Sequence, residues 1–279
     1  MEAIQNFKVF DSTMFHLEDT ERAYLEYIEK LEKLSPRERN AFIGVLEAQE
    51  MICTQTIENE NSFLMQLYSS LQTEDPITYV QKMFSGTITL DQVDTLHSML
   101  IVGTAADKEQ NARYRNGEYE ADYDKWVGFY RGTEKVVQYI PPDPKYVMGR
   151  IQSIIHFMND SSDRSLLYNI FIKPLIFHCE FAALQPFGDG NTRTARMLQY
   201  GSIWKDTKLK YGKSFSRPII YLSHRYKLYA KNYRQFIQNV VVESGPDAWN
   251  RWFEFNLNMM DEALYKFDHD IGKVLSRHY

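Results

Sequence analysis

Between Phe181 and Gln199 the chain reads FAALQPFGDGNTRTARMLQ. Asp189 stands between Gly188 and Gly190, Asn191 and Thr192 follow, and Arg193 and Arg196 are three residues apart. A glycine-rich turn that runs into helix-forming residues aims several backbone N–H groups at one point, where the helix N-terminus adds partial positive charge. Arginines at this spacing in the first turn of the helix project from one side, and their guanidiniums suit phosphate oxygens. A carboxylate beside them can hold a divalent cation against those oxygens; Mg2+ commonly takes one carboxylate together with substrate phosphates and water. Read singly, Asn191 could be an N-cap and the arginines a solvated face. Together they lead us to expect a polyphosphate site.

The segment QPFGDGNTRTAR resembles the signature HPFx[DE]GNGRxxR of the Fic family. The resemblance extends over roughly residues 40 to 260, through TLHSMLIVG and YR (Tyr114 and Arg115) ahead of the hairpin, YIPPDP, FHCEFAAL, YAKNYRQF and WNRWFEF. It implies a mainly α, Fic-type helical domain with a small β-hairpin flap, and transfer of AMP from ATP to a protein hydroxyl. On that resemblance Asp189 orients Mg2+, and Gly188, Gly190, Asn191 and Thr192 line the anion-binding turn. Arg193 holds the outer phosphates, Arg196 the γ-phosphate. A hairpin between Tyr114 and Ile140 would be the flap that holds a target protein segment by strand addition. Asn232, in YAKNYRQF, is similar to a family position near the base, or is a helix-surface asparagine. TQTIEN, Thr54 to Asn59, is similar to the family's inhibitory segment; there Glu58 would pair with Arg196 and deny the γ-phosphate its partner.

Two residues depart from the signature. Gln185 stands where the family has histidine, the group that takes the proton from the attacking hydroxyl. A carboxamide accepts a hydrogen bond but has no pKa near neutral, so it cannot keep that proton. His178 is seven residues back, two turns or about 10.5 Å along a helix, and is expected to be structural. Thr192 replaces a glycine; because it begins a helix, ordinary helical angles are expected there. Three readings fit these departures: a transferase that works slowly or with another base, an ATP- and Mg2+-binding pseudoenzyme or regulatory interaction protein, and a transferase silenced by a substitution introduced at position 185.

Composition narrows the setting. The net charge of −5 over 279 residues argues against non-specific nucleic-acid binding, which needs a basic surface. The expected partners are a nucleotide and a protein target, with neither nucleic acid nor membrane. The start of the chain lacks a basic-then-apolar leader and no run approaches a membrane span, so a cytoplasmic setting is expected. Two cysteines, Cys53 and Cys179, are too few for a disulfide framework, and no histidine pair has metal-binding spacing.

The elements that would carry this turn can be read around it. A charged helix runs from His16 to Leu34, and SPRE, Ser35 to Glu38, caps a second helix whose face carries Phe42, Val45, Leu46 and Ile52. Helical patterns follow over Ser62 to Ser70, in DPITYVQKMF, and in TITLDQVDTLHSMLIVG with an aspartate as cap. WVGFY and KVVQYI read as a hairpin, and PPDP closes it. Further helices are expected in KYVMGRIQSIIHFMN, RSLLYNIFI, the strongly apolar PLIFHCEFAAL, Arg193 to Trp204, RPIIYLSHRYKLYAKNYRQFIQNVV and DAWNRWFEFNLNMMDEALYKF. The whole reads as a single α-rich domain, residues 1–279, with a helical extension before residue 40.

Overall fold

A computed structural model describes residues 9–57, 75–102, 112–160, 167–211 and 220–276, with the backbone alone for 207–211. The expected helix at Ser62 to Ser70 and the expected clamp residue Glu58 lie outside the described residues. Among the described residues the helices longer than four residues are α1 (Asp11–Lys33), α2 (Pro36–Thr56), α3 (Pro76–Phe84) and α4 (Leu90–Ile101), then a strand pair, then α5 (Val147–Asn159), α6 (Lys173–Leu184), α7 (Asn191–Tyr211), α8 (Ser223–Leu228), α9 (Ala230–Glu243) and α10 (Pro246–Leu275). The strands are β1 (Val127–Arg131) and β2 (Glu134–Tyr139).

At the centre lies α6. Apart from Lys173, His178 and Glu180 its residues are apolar, and all but Glu180 and Ala183 are buried, as expected of a helix packed on every side. A π-helical stretch, Tyr168–Ile172, leads into it. The helices α5, α7 and α9 pack against α6, and α10 is tied to it by the Trp252 indole N–H, which donates to the Leu175 carbonyl at 2.9 Å. On its other side α7 meets α3 at Gly201, where a Cβ would stand 2.4 Å from Phe84 Cδ2 and 2.8 Å from Val80 Cγ2. Only glycine lets the two helices approach so closely.

The caps follow local sequence. Ser35 and Glu38 form the reciprocal capping box of α2, with Pro36 at its first position. The cap of α4 is Thr89 paired with Gln92 rather than an aspartate; a hydroxyl one residue ahead of the helix satisfies the same N–H.

The expected face of α2 is also corrected. Val45 and Ile52 are exposed, and the face turned inward carries Ile43, Leu46, Glu50, Cys53, Thr54 and Gln55. Its polar members are all bonded: Glu50 accepts from the Ser223 amide at 2.9 Å and hydroxyl at 2.6 Å, and Thr54 shares a hydrogen bond with that hydroxyl at 2.6 Å. Hydrophobic periodicity cannot see a buried face built from polar pairs.

Along α10 runs α1, in the same direction. His16 has its Nδ1 2.6 Å from Glu254 and its Nε2 2.8 Å from Asp261, while Thr20 donates to Asp261 and Lys30 pairs with Asp268. Burial alone would lower the His16 pKa, but the hydrogen bonds and charges of the two carboxylates outweigh it and the net shift is upward. Only the imidazolium can donate to both. A raised histidine contributes stability that is complete below its ordinary value and lost as pH rises through the folded value. Because both carboxylates are over one-third exposed, the expected loss is about 1 kcal/mol. Urea unfolding on either side of neutrality should show it, and His16→Gln should flatten the dependence. An unchanged pH slope in that variant would refute the assignment.

The hairpin forms over a two-residue turn with Gly132 at φ 63°, and pairs Phe129 with Val136 and Arg131 with Glu134, as favoured hairpin turns require. Its β2 end is fastened: the Tyr139 hydroxyl donates to the Ala182 carbonyl at 3.2 Å, and Gln238 of α9 donates to the Gln138 carbonyl at 3.3 Å. Phe129 and Tyr130 on β1 are exposed. No helix among the described residues is long and apolar enough to cross a membrane.

Candidate functional site

Gln185 ends α6 in the left-handed conformation, φ 50° and ψ 58°. The chain then turns through Pro186 to Gly190 and enters α7 at Asn191. Asn191 holds this turn together. Its Oδ1 accepts from the Phe187 amide at 2.8 Å, and its Nδ2 donates to the Phe187 carbonyl and to Gln185 Oε1, each at 3.0 Å. The side chain therefore spans the loop instead of only capping the helix. Gly190 has φ 76°, and a Cβ on it would lie 2.5 Å from Ile101 Cγ2 and 3.0 Å from His97 Nε2. Glycine is required there both by conformation and by space.

Three residues, His97, Lys125 and Arg115, fix the turn from outside; His97 and Arg115 stand in the segments TLHSMLIVG and YR, but sequence reasoning gave none of the three a role at the turn. His97 of α4 donates from Nε2 to the Asp189 carbonyl at 2.8 Å and stacks on Phe187 with centroids 3.6 Å apart. Burial, with the Arg193 charge, lowers its pKa to about 4, so the neutral ring serves as a strut. Lys125, just ahead of the hairpin, donates to the Gly188 carbonyl at 2.5 Å, and burial lowers its pKa. Arg115 is 3% exposed and caps the end of α6. Its Nε donates to the Gln185 carbonyl at 2.6 Å, and Nη2 to those of Leu184 at 3.0 Å and Pro142 at 3.2 Å, while Nη1 reaches the Asp122 carbonyl at 3.0 Å.

The predicted residues do meet at this turn. The Asp189 side chain is 54% exposed, and its Oδ1 accepts from the Gly190 amide at 2.6 Å. Thr192 lies within α7 and is absent from the positive-φ residues, as expected. Arg193 and Arg196 are buried, at 1% and 2% exposure, in contrast to a solvated face. Arg193 Nη2 is 3.8 Å from Asp189 Oδ1, and its Nη1 donates to Gln55 Oε1 at 3.4 Å. Arg196 Nη2 donates to the Thr54 carbonyl at 2.6 Å. Both arginines thus reach the C-terminal end of α2, where the helix dipole is negative. Thr54 and Gln55 fall in the TQTIEN segment, so the signal was present in the sequence although attached to Glu58.

The histidines divide clearly. His178 is fully buried, bonded through Nδ1 to Gln199 and through Nε2 to the Tyr233 hydroxyl at 2.8 Å; burial lowers its pKa to about 3. It belongs to a polar core network with Gln199, Tyr226 and Asn256, which is the structural role expected. His156 is exposed on α5, and His224 lines a cleft with Leu46, Glu50 and Lys266. Asn232 is exposed on α9.

Gln185 itself is 7% exposed and committed at both ends of its carboxamide. Nε2 donates to the Ala182 carbonyl at 2.7 Å and Oε1 accepts from Asn191. Chemically, the site offers an exposed carboxylate, a turn with oriented amides, and two buried cations. Among the described residues no group of three or more side chains could cage a metal ion. A Mg2+ that arrives with phosphate oxygens and water needs only the single carboxylate of Asp189, so the donor set fits that ion.

Residues 87–200 match the family model described as the Fic/DOC family. Over 73 residues the chain is 36% identical to the Caenorhabditis elegans protein adenylyltransferase fic-1, a match covering 26% of this chain and 14% of that protein. It is 31% identical over 81 residues to the probable protein adenylyltransferase aq_aa38 of Aquifex aeolicus (strain VF5), covering 26% and 24%. The matched stretch is therefore under one quarter of the length of either relative. Among solved structures, a Fic family protein from Desulfovibrio desulfuricans G20 superposes over 98% of this chain and 77% of its own with a TM-score of 0.62 at 17% identity. At that identity the likeness establishes the fold.

Proposed function

We propose that the Fic/DOC family domain this chain carries over residues 87–200 binds ATP with Mg2+ at the Gly188–Asn191 turn, and transfers AMP to a protein hydroxyl slowly or not at all. The observation that supports binding is the convergence of Asp189, the Gly190 turn held by Asn191, and Arg193 and Arg196 at the start of α7. In such a site Asp189 would hold Mg2+, whose charge offsets that of the phosphates. Arg193 would take the outer phosphates and Arg196 the γ-phosphate. The outer edge of β1 is suited to pair with an extended target segment, since among the described residues β1 pairs with β2 alone.

For transfer, the target oxygen bonds to the α-phosphorus, the bond from that phosphorus to the bridging oxygen breaks, and pyrophosphate leaves. The hydroxyl proton needs a base. The carboxamide of Gln185 is neutral and already bonded to Ala182 and Asn191, which favours the second reading, a nucleotide-dependent binding or regulatory protein. The hydrogen bonds from Arg193 and Arg196 to Gln55 and Thr54 add an autoinhibitory element: the end of α2 must yield these partners before a γ-phosphate can take them.

Calorimetry of the full chain with ATP, in Mg2+ and in EDTA, tests the reading. Mg2+ should strengthen binding, and Asp189→Ala should remove most of that gain, roughly tenfold or more for a lost charge-assisted contact. Gln55→Ala should tighten ATP binding by freeing Arg193. If neither the unaltered chain nor Gln55→Ala binds ATP at millimolar concentration, the nucleotide reading fails.

A further inference from the structure

The two legs of the hairpin are fastened to different parts of the body. On the β2 leg, the Tyr139 hydroxyl donates to the Ala182 carbonyl of α6, and Arg115 reaches the carbonyl of Pro142, three residues past the strand. Val127 pairs with Tyr139 and Gly128 with Val137, so Gln138 bulges out of the ladder, and its carbonyl accepts from Gln238 of α9. A bulge re-aims the strand around it, and this one is held from outside. The β1 leg is fastened at Lys125, two residues ahead of the strand, whose ammonium donates to the Gly188 carbonyl at 2.5 Å. The β2 contacts thus lead to α6 and α9, whereas the β1 contact leads into the turn itself. The Lys125 side chain is half-buried, and the charges of Asp189 and Arg115 both act on its ammonium.

Resting on the reading of the turn as a nucleotide site and of β1 as the edge for a target segment, we propose that Lys125 is a positioning residue. By pinning the β1 leg to Gly188, it sets the distance between a segment paired on β1 and the phosphates held at the turn.

An extended segment added to a sheet edge takes its place from the strand it pairs with, through main-chain hydrogen bonds. Phe129, in the middle of β1, is four residues beyond the pin, about 13 Å of extended chain. Without the pin β1 can tilt about the β2 attachments and carry the segment with it. A shift of about 1 Å at the reacting oxygen costs roughly 100-fold in rate. Nucleotide binding draws on Asp189, Arg193 and Arg196, so the same tilt leaves it in place. The other role open to a lysine beside such a turn is that of a further phosphate cation, and its loss would register in ATP affinity instead.

The test compares the full chain with Lys125→Met, which keeps the apolar stem and removes the donor, and with Lys125→Arg, which keeps a charged donor. Residual dipolar couplings of the backbone amides report how β1 is oriented relative to α6. In the methionine variant those of Gly128, Phe129 and Tyr130 should shrink or change sign relative to α6, while those of Gln138 and Tyr139 hold. Placed in the Gln185→His background, Lys125→Met should lower label transfer from ATP carrying a labelled α-phosphate, counted per bound ATP, by about 10- to 100-fold. ATP affinity by calorimetry should stay within a few-fold, and Lys125→Arg should recover part of both effects. Couplings of β1 that still fit the frame of α6 in Lys125→Met would overturn the proposal. So would a fall in ATP affinity with transfer per bound ATP unchanged, which would make Lys125 a phosphate ligand. If Gln185→His binds ATP and labels nothing with Lys125 in place, the transfer reading fails by itself, and the couplings decide whether Lys125 pins the edge.

Discussion

Gln185→His is expected to raise the rate of AMP transfer by about 10²- to 10⁴-fold, the usual contribution of a positioned general base. The substitution is compatible with the backbone. Position 185 has φ 50°, and histidine is among the residues enriched in that region. What the imidazole adds is a lone pair with a pKa near neutral, held beside a turn already fixed by Asn191, His97, Lys125 and Arg115. Label transfer from ATP carrying a labelled α-phosphate, to the chain itself or to captured target protein, measures the rate. Gln185→Asn is the control, since it tolerates the same backbone but supplies no base, and no gain is expected from it. Because the end of α2 engages both arginines, the histidine variant should be assayed alone and combined with Glu58→Gly or Gln55→Ala. ATP affinity should stay within a few-fold of the unaltered chain. A histidine variant that binds ATP yet labels nothing, in all these combinations, would show that position 185 does not face the reacting hydroxyl.

How much of this was visible in the sequence depends on the range of the interaction. The turn from Gly188 to Asn191 and the apolar helix before it were legible because their causes are local: glycines, a cap-like asparagine and continuous apolar residues. The hairpin was legible for the same reason, through β-prone runs about Gly132. The inward face of α2 was not. Glu50 and Thr54 are buried by partners about 170 positions away in sequence, so their polarity pointed outward. The same holds for Lys125 and for the role of Arg115: neither shows its function until the fold brings carbonyls to it. His97 carried no metal-like spacing, and its role appears only when α4 is laid against the turn. Conversely Arg193 and Arg196 were found by spacing, but their burial and their contacts with Thr54 and Gln55 required the tertiary structure.

Arg115→Met should cost about 3–5 kcal/mol of stability, the range for leaving several buried polar groups without partners. The argument is one of satisfaction rather than charge. The last carbonyls of a helix have no partner within it, and here those of Leu184 and Gln185 are capped by one planar guanidinium, which also reaches Pro142 and Asp122. Methionine fills similar volume and offers no donor. The backbone amide of residue 115, bonded to the Pro186 carbonyl at 2.8 Å, is untouched, so the turn keeps one tether. At about 2–4 °C per kcal/mol for a domain of this size class, the midpoint of thermal unfolding should fall by roughly 6–20 °C. Arg115→Lys separates the two explanations: an ammonium keeps the charge but cannot match the fixed fork of donors, so it should recover only part of the loss. Full rescue by lysine would mean that the charge alone matters. Since the same guanidinium supports Gln185, the methionine variant placed in the Gln185→His background should lower transfer more than ATP affinity. A loss of affinity with transfer per bound ATP unchanged would show that Arg115 holds the fold together without orienting residue 185.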